Sequence, residues 1–393
     1  MRKVRSFALA AACVVLLGAC GQWTVVGSPN PTSASNPSDA DLLTQASCPN
    51  PSFCVAVGNL DTEYGYQPII ESGPANSLSA DTVPNVARGS LADVSCATTS
   101  FCVAVGDQAG ATTGPYQPLI ESWNAHSWSI VPSAISSPYV TVLNAVSCSS
   151  ASSCFAVGDE YLDNGVVQTL IESWNGTAWT VSPSADTSAT DQDQLMGVSC
   201  ISVDRCMAVG NYVASGQSPQ TLTESYDGKS WSIVSSPNVP KNDWLSSVSC
   251  TSASFCVAVG SYSDPVNPSN PTRVVYGATL VESFDSGSWS IMSSPNASGQ
   301  DSLSGVSCIV AQICVAVGTE DLNSGSGTAQ TLVEQLVGSW TIRTSADTSI
   351  DDEDELMGVS CASITVCLAV GNYAVRGPSV RTLALALTGL ETG

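Results

Sequence analysis

A five-residue string, Cys-x-Ala-Val-Gly, recurs seven times, every full copy carries four short apolar or β-branched runs, and no window shows a helical period. Together these observations predict an all-β fold. The architecture expected is a seven-bladed β-propeller with four antiparallel strands per blade, its ring closed by the N-terminal strand joining the last blade.

The chain opens with a leader. Arg2, Lys3 and Arg5 precede an apolar stretch from Phe7 to Leu17, too short to span a bilayer as a stable helix. Leu17-Gly18-Ala19-Cys20 follows and resembles the bacterial lipobox, which implies cleavage before Cys20 and lipid attachment to its sulfur. Residues 1–19 are therefore expected to be a lipoprotein signal peptide, and residues 20–393 a single propeller domain of seven repeats. Lipidated Cys20 would tether an exported protein to the outer face of a bacterial membrane or cell envelope. Losing the leader removes three basic residues and no acid, taking the formal charge from −23 to −26.

The repeats have a period of about 52 residues. Each has a Ser-Cys pair six residues before the Cys of Cys-x-Ala-Val-Gly. Downstream comes a second string, as in Thr169-Leu170-Ile171-Glu172-Ser173-Trp174, then a polar turn and a third string such as Trp179-Thr180-Val181. In the fourth repeat the strands are expected near Leu195–Cys200, Cys206–Tyr212, Thr221–Tyr226 and Ser230–Val234. The fixed Ala suits a crowded position between neighbouring sheets.

The two ends complete each other. Repeat 7 reaches Thr382-Leu383-Ala384-Leu385 and lacks a Trp strand, while Trp23 through Asn30 aligns with Trp231 through Asn238 and with Trp289 through Asn296. The N-terminal strand is thus expected to finish the last sheet and remove a free edge.

The cysteines read as staples. Seven C-x5-C pairs in an exported chain, each without an accompanying His, point to disulfides rather than zinc. The expected bridges are Cys48–Cys54, Cys96–Cys102, Cys148–Cys154, Cys200–Cys206, Cys250–Cys256, Cys308–Cys314 and Cys361–Cys367. Closing a loop of this size is worth about 2 kcal/mol per bond.

Composition narrows the function. The 393 residues carry 11 Lys and Arg against 34 Asp and Glu, with one His; charged residues make up 11%, against roughly 25% in an average domain. A chain so acidic has no means of neutralising a run of phosphates, so nucleic acid is not an expected partner. Scarce bases leave little for acid–base or nucleophile activation.

The turn between third and fourth strands carries a resemblance. Ser-Tyr-Asp227-Gly228-Lys-Ser-Trp231 and Ser-Phe-Asp285-Ser-Gly287-Ser-Trp289, with Asn124 and Asn175 at the same place in other repeats, look like a shortened Asp-box of BNR-repeat propellers. That group includes sialidases, other glycan-active enzymes and photosystem II assembly factors. In it the Asp-box stabilises the fold away from the active site, so the resemblance implies architecture. Sialidase chemistry, by the same resemblance, would need three clustered Arg, a Tyr/Glu nucleophile pair and an Asp acid. Here Arg88, Arg205, Arg273, Arg343, Arg376 and Arg381 fall at different positions within their repeats, and Tyr161, Tyr212, Tyr262 and Tyr373 recur at equivalent ones. His126 sits in a connecting turn. No catalytic residue is assigned.

Loops after Cys-x-Ala-Val-Gly and those linking repeats share one face and vary in length, which is where binding is expected. Two linkers are near copies, and their carboxylates Asp191, Asp193, Asp352 and Asp354 are candidates for a structural Ca²⁺ site, the one cofactor considered; solvated acidic loops are the simpler reading. The function expected is a non-enzymatic, surface-displayed binding or scaffolding module, a monomer holding a protein or glycan on the variable-loop face. The alternatives are a glycan-directed BNR-type protein, lectin-like or a degenerate hydrolase, and an assembly factor for a membrane complex.

Overall fold

The computed structural model describes residues 21–29, 40–62, 65–84, 86, 88–109, 114–263, 276–297, 300–321, 329–348, 353–374 and 380–388. The leader, Cys20 and Asp352 lie outside them. The described residues are all-β: every assigned element is a strand, and there is no helix among them.

Repeat 3 shows how the sequence builds a sheet. Its strands run Val140–Ser150, Ser153–Tyr161, Val167–Trp174 and Trp179–Val181, paired antiparallel in chain order. Cys148 and Cys154 face each other in register and are disulfide-bonded, so the bond pins the first hairpin. The pairing slips by one residue between Leu143 and Ala145. Opposite this bulge lies Gly158, where a Cβ would stand 2.0 Å from the carbonyl oxygen of Val142, so only glycine fits. Cys154, Phe155, Ala156 and Val157 are all buried, as expected of a strand covered on both faces.

The pattern repeats. Repeats 2, 5 and 6 form separate four-stranded sheets. Repeats 3 and 4 share an eight-stranded sheet through one parallel contact, Val167 with Gln192; repeats 7 and 1 do so through Val380 with Ala40. The strand Gln22–Val25 pairs with Val380–Thr388 of repeat 7, setting Trp23 opposite Leu387 as the end alignment predicts. In repeat 4 the strands are Gln192–Ser202, Arg205–Val213, Gln220–Tyr226 and Trp231–Ile233. The first is longer than the apolar run, because hairpin pairing carries polar residues at both ends into the ladder.

Cores lie between consecutive sheets. Val103, Val105 and Ile120 of repeat 2 pack with Leu143, Ala156 and Leu170 of repeat 3. Repeat 1 packs likewise on Leu368, Val370 and Ala384 of repeat 7. The Ala of each Cys-x-Ala-Val-Gly string is wholly buried. All seven expected disulfides are formed, and there is no free cysteine among the described residues. Such a complement of bonds belongs to an exported or extracellular protein.

Candidate functional site

Inner strands of all seven repeats line one cavity of about 500 Å³. Their bulges turn short side chains toward it, Thr44, Asn144, Ser246 and Ser304 among them, with Met196 and Met357 more exposed. The lining holds no Arg, Lys, His or Tyr among the described residues. Its carboxylate is Asp93, whose oxygens accept the backbone N–H groups of Val94 and Val146, both at 2.7 Å. Burial pushes Asp93 up to about 7 against the pull of those bonds.

The Ser before the first Cys of each repeat, a recurrence the sequence displays without its reason, ties neighbours together. Ser47 Oγ accepts the N–H of Cys96, Ser95 that of Cys148, and Ser147 that of Cys200, each at 2.9 Å. Ser199, Ser249 and Ser307 continue to Cys250, Cys308 and Cys361, and Ser360 returns to Cys48 at 2.9 Å.

A second recurrence escaped the sequence reading. The Glu of the third strand, as in Leu170-Ile171-Glu172, is wholly buried in six repeats: Glu71, Glu121, Glu172, Glu224, Glu282 and Glu334. Its cross-strand partner is the fixed Ala, Ala156 for Glu172, which leaves room for the carboxyl. A Ser five residues after the preceding Trp reaches it. Ser28 donates to Glu71 at 2.8 Å, Ser184 to Glu224 at 3.0 Å and Ser294 to Glu334 at 2.7 Å; Ser133 and Ser236 serve Glu172 and Glu282. Two places break the rule. Val83 stands where a Ser would meet Glu121, leaving both its carboxyl oxygens without a partner, and Leu385 occupies the Glu position of repeat 7. Burial raises all six, with Glu71, Glu121, Glu224, Glu282 and Glu334 reaching about 7. A polar residue held in one apolar strand position six times was the available signal.

The candidate calcium ligands hold loops. Thr187 donates its N–H to Asp193 Oδ2 and its Oγ1 hydroxyl to Asp193 Oδ1 at 2.7 Å, with Asp191 Oδ2 3.2 Å from the same hydroxyl. Thr348 repeats the pair of contacts on Asp354. Asp243 and Asp301, at the same strand position, accept the N–H groups of Val239 and Ala297. Burial raises Asp193, and Asp186 and Asp191 add like charge. No group of three or more metal-ligating side chains occurs among the described residues.

The other singled-out residues disperse. Asn124, Asn175 and Asp227 each cap their turn by accepting two backbone N–H groups at 2.9–3.1 Å. Asp285 departs from this pattern: its turn is the two-residue Ser286-Gly287, both at positive φ, and its Oδ1 accepts only the Ser286 hydroxyl. His126 is exposed in its turn. Arg205 bonds backbone carbonyls of the hairpin face, and Arg343 Nε donates to Gln335 at 2.8 Å on an outer strand. Arg273 and Arg376 lie outside the described residues. Of the four tyrosines expected at equivalent places, Tyr212, Tyr262 and Tyr373 are so placed, but Tyr161 stands one residue further along its strand and so on the opposite face. Tyr161 accepts from Gln194, Tyr212 donates to Gln220, and Tyr262 lies under Lys241 Nζ at 5.0 Å. Much of the variable-loop face, including residues 63–64, 110–113, 264–275, 322–328 and 375–379, also falls outside the described residues.

Solved structures share this fold at low identity. A structure of YCF48 bound to D1 peptide aligns over 94% of this chain and 96% of its own, with TM-score 0.53 and 12% identity. The GH74 xyloglucanase of Xanthomonas campestris aligns over 90% of this chain but 53% of its own, with TM-score 0.53 and 11% identity. The GH74 enzyme of Niastella koreensis gives 0.52 and 10%, over 88% and 54%. The chain thus spans about half the length of those two enzymes. No family model matches the chain, and neither does any curated protein. The protein is of the β-propeller class.

Proposed function

We propose that the protein is a non-enzymatic binding or scaffolding module: a closed, seven-bladed propeller that presents its loop face and channel mouth to a partner. The cavity lining carries this reading. Small neutral side chains and one carboxylate already held by two N–H groups offer shape and hydrogen bonds, with no nucleophile–base pair to drive bond cleavage. Ring closure is supported by the Gln22–Val25 strand on repeat 7, by Ser360 on Cys48, and by Ser28, which reaches Glu71 of repeat 1 and Thr382 of repeat 7, each at 2.8 Å.

The acidic linkers act here as loop caps, since Thr187 and Thr348 already engage Asp193 and Asp354. On this reading the module is a lipoprotein tethered through Cys20 to the outer face of an envelope, which the leader sequence supports. A Cys20→Ala variant is then released to the medium; retention in the membrane fraction refutes the anchor.

A second reading, an assembly factor gripping a peptide of a membrane complex, is favoured by the likeness to YCF48 bound to D1 peptide over nearly the whole length of both chains. Screening the oxidised protein against immobilised peptides and glycans tests both readings. Retention of a peptide class favours the second reading. Retention of a glycan class without cleavage favours a lectin-like binder, and retention of neither refutes the binding module.

A further inference from the structure

A socket of about 190 Å³ opens between repeats 4 and 5 on the face that carries the disulfide hairpins, opposite the variable loops. The repeat register shows which side chain borders it. The residue before the second Cys is Phe53, Phe101 and Phe255 in repeats 1, 2 and 5, and each of these rings packs over the core it shares with the next repeat. That residue is Ser153, Ile313 and Val366 in repeats 3, 6 and 7, and in repeat 4 it is Arg205, a charged residue that is exposed. The core between repeats 4 and 5 accordingly has no ring from this position. What remains is a pocket walled by Ile201, Met207, Tyr226, Phe284 and the Cys250–Cys256 disulfide, with Arg205 at its side.

The socket has the size and chemistry of a side-chain receptor. An engineered apolar cavity of about 150 Å³ accepts benzene, so this volume takes one phenyl or leucyl group. Ile201 carries the apolar wall outward, 37% exposed. Arg205 is oriented, because Nη1 donates to the carbonyls of Asp204 at 2.7 Å and Asp227 at 2.8 Å. The Ser202 hydroxyl and the Arg205 charge together hold the neighbouring Asp204 carboxyl below the usual carboxylate range, and Nε and Nη2 are the groups through which Arg205 would meet a carboxylate of a partner.

We propose that this socket docks a partner polypeptide by one aromatic side chain, entering where Phe53, Phe101 and Phe255 sit in other repeats, with a neighbouring carboxylate of the same peptide held by Arg205. Buried anchors of this kind carry most of the energy of small interfaces. The site lies on the opposite face from the loop surface and stands or falls independently of it.

Arg205→Phe supplies the missing ring from within and provides the test. Random dodecapeptides displayed on phage are selected on the oxidised protein, and a selected, labelled peptide is titrated by fluorescence anisotropy. The expected result is enrichment of Phe, Tyr or Trp beside Asp or Glu. Arg205→Phe should weaken binding by at least about tenfold while keeping or raising the melting temperature, and Ile201→Ser should weaken it several-fold. Arg205→Gln should weaken it less than Arg205→Phe and remove its salt dependence. Absence of aromatic–acidic enrichment, or equal affinity for Arg205→Phe and wild type, overturns the proposal. Self-association in sedimentation equilibrium that Arg205→Phe abolishes would assign the socket to a second copy of the chain and also overturn it.

Discussion

Ser360 Oγ accepts the backbone N–H of Cys48 at 2.9 Å across 312 positions of sequence, the same bond that Ser147 makes to Cys200 between adjacent repeats. The first and seventh repeats are therefore joined by the contact that joins every other neighbouring pair.

If that contact closes a ring, Ser360→Ala and Ser199→Ala should be equally harmful. Each leaves a cysteine N–H without its acceptor, a loss of about 1 kcal/mol and a melting temperature lowered by a few degrees. A silent Ser360→Ala beside a damaging Ser199→Ala, read by calorimetry, would mean that the ring is open.

Gly158→Ala should be far more costly than Gly165→Ala. The first drives a methyl into the Val142 carbonyl, with an expected loss above about 3 kcal/mol or failure to accumulate folded protein. The second meets open space and suffers only the penalty of φ +80°, about 1 kcal/mol. Urea melts of the two variants provide the comparison.

The buried glutamates should make the fold acid-tolerant. An acid whose pKa is raised by folding holds its proton more tightly in the native state. The associated stability is fully present below about pH 4.5, the unfolded value, and is lost as pH rises through about 7. The melting temperature should therefore be higher near pH 5 than near pH 8, by about 5 °C or more. Equal values at the two pH values would contradict the burial of these carboxyls. Glu121, without partners, gives the sharpest local check. Glu121→Gln should stabilise at pH 8 and do little at pH 5, and Val83→Ser, which restores the missing hydroxyl, should add about 1 kcal/mol.

Asp354→Asn should lower the melting temperature by the same amount with and without Ca²⁺, because the carboxylate engages Thr348. A Ca²⁺-dependent rise in wild type that Asp354→Asn removes would instead support the metal-site reading.

Much of this fold is legible in the chain because the repeat is local and its constraints are covalent or steric. The cysteine pairs, the strand runs and the Trp23 alignment each specify a contact that the structure contains. What sequence could not yield was what lies across a sheet. Glu172 reads as one polar residue in a β-run until Ala156 is set opposite it and Ser133 is brought over from the preceding repeat. Asp93 and Arg205 carry no local signature either. Each stands at a position that varies from repeat to repeat, and its meaning depends on the neighbouring repeat: Val146 for one, the pocket beside Phe284 for the other. The loop carboxylates read from the sequence as solvated loops or cation ligands, and the threonines that Asp193 and Asp354 engage carry no signal in their spacing.

Whether the channel and loop face bind a ligand without transforming it, as proposed, is decided by incubating the oxidised protein with each ligand retained on peptide and glycan arrays and following ligand mass by mass spectrometry. The expected result is saturable retention with the ligand mass unchanged at every time point. Protein-dependent appearance of a cleaved product, abolished by substitution of a channel residue such as Asp93→Asn, would contradict it.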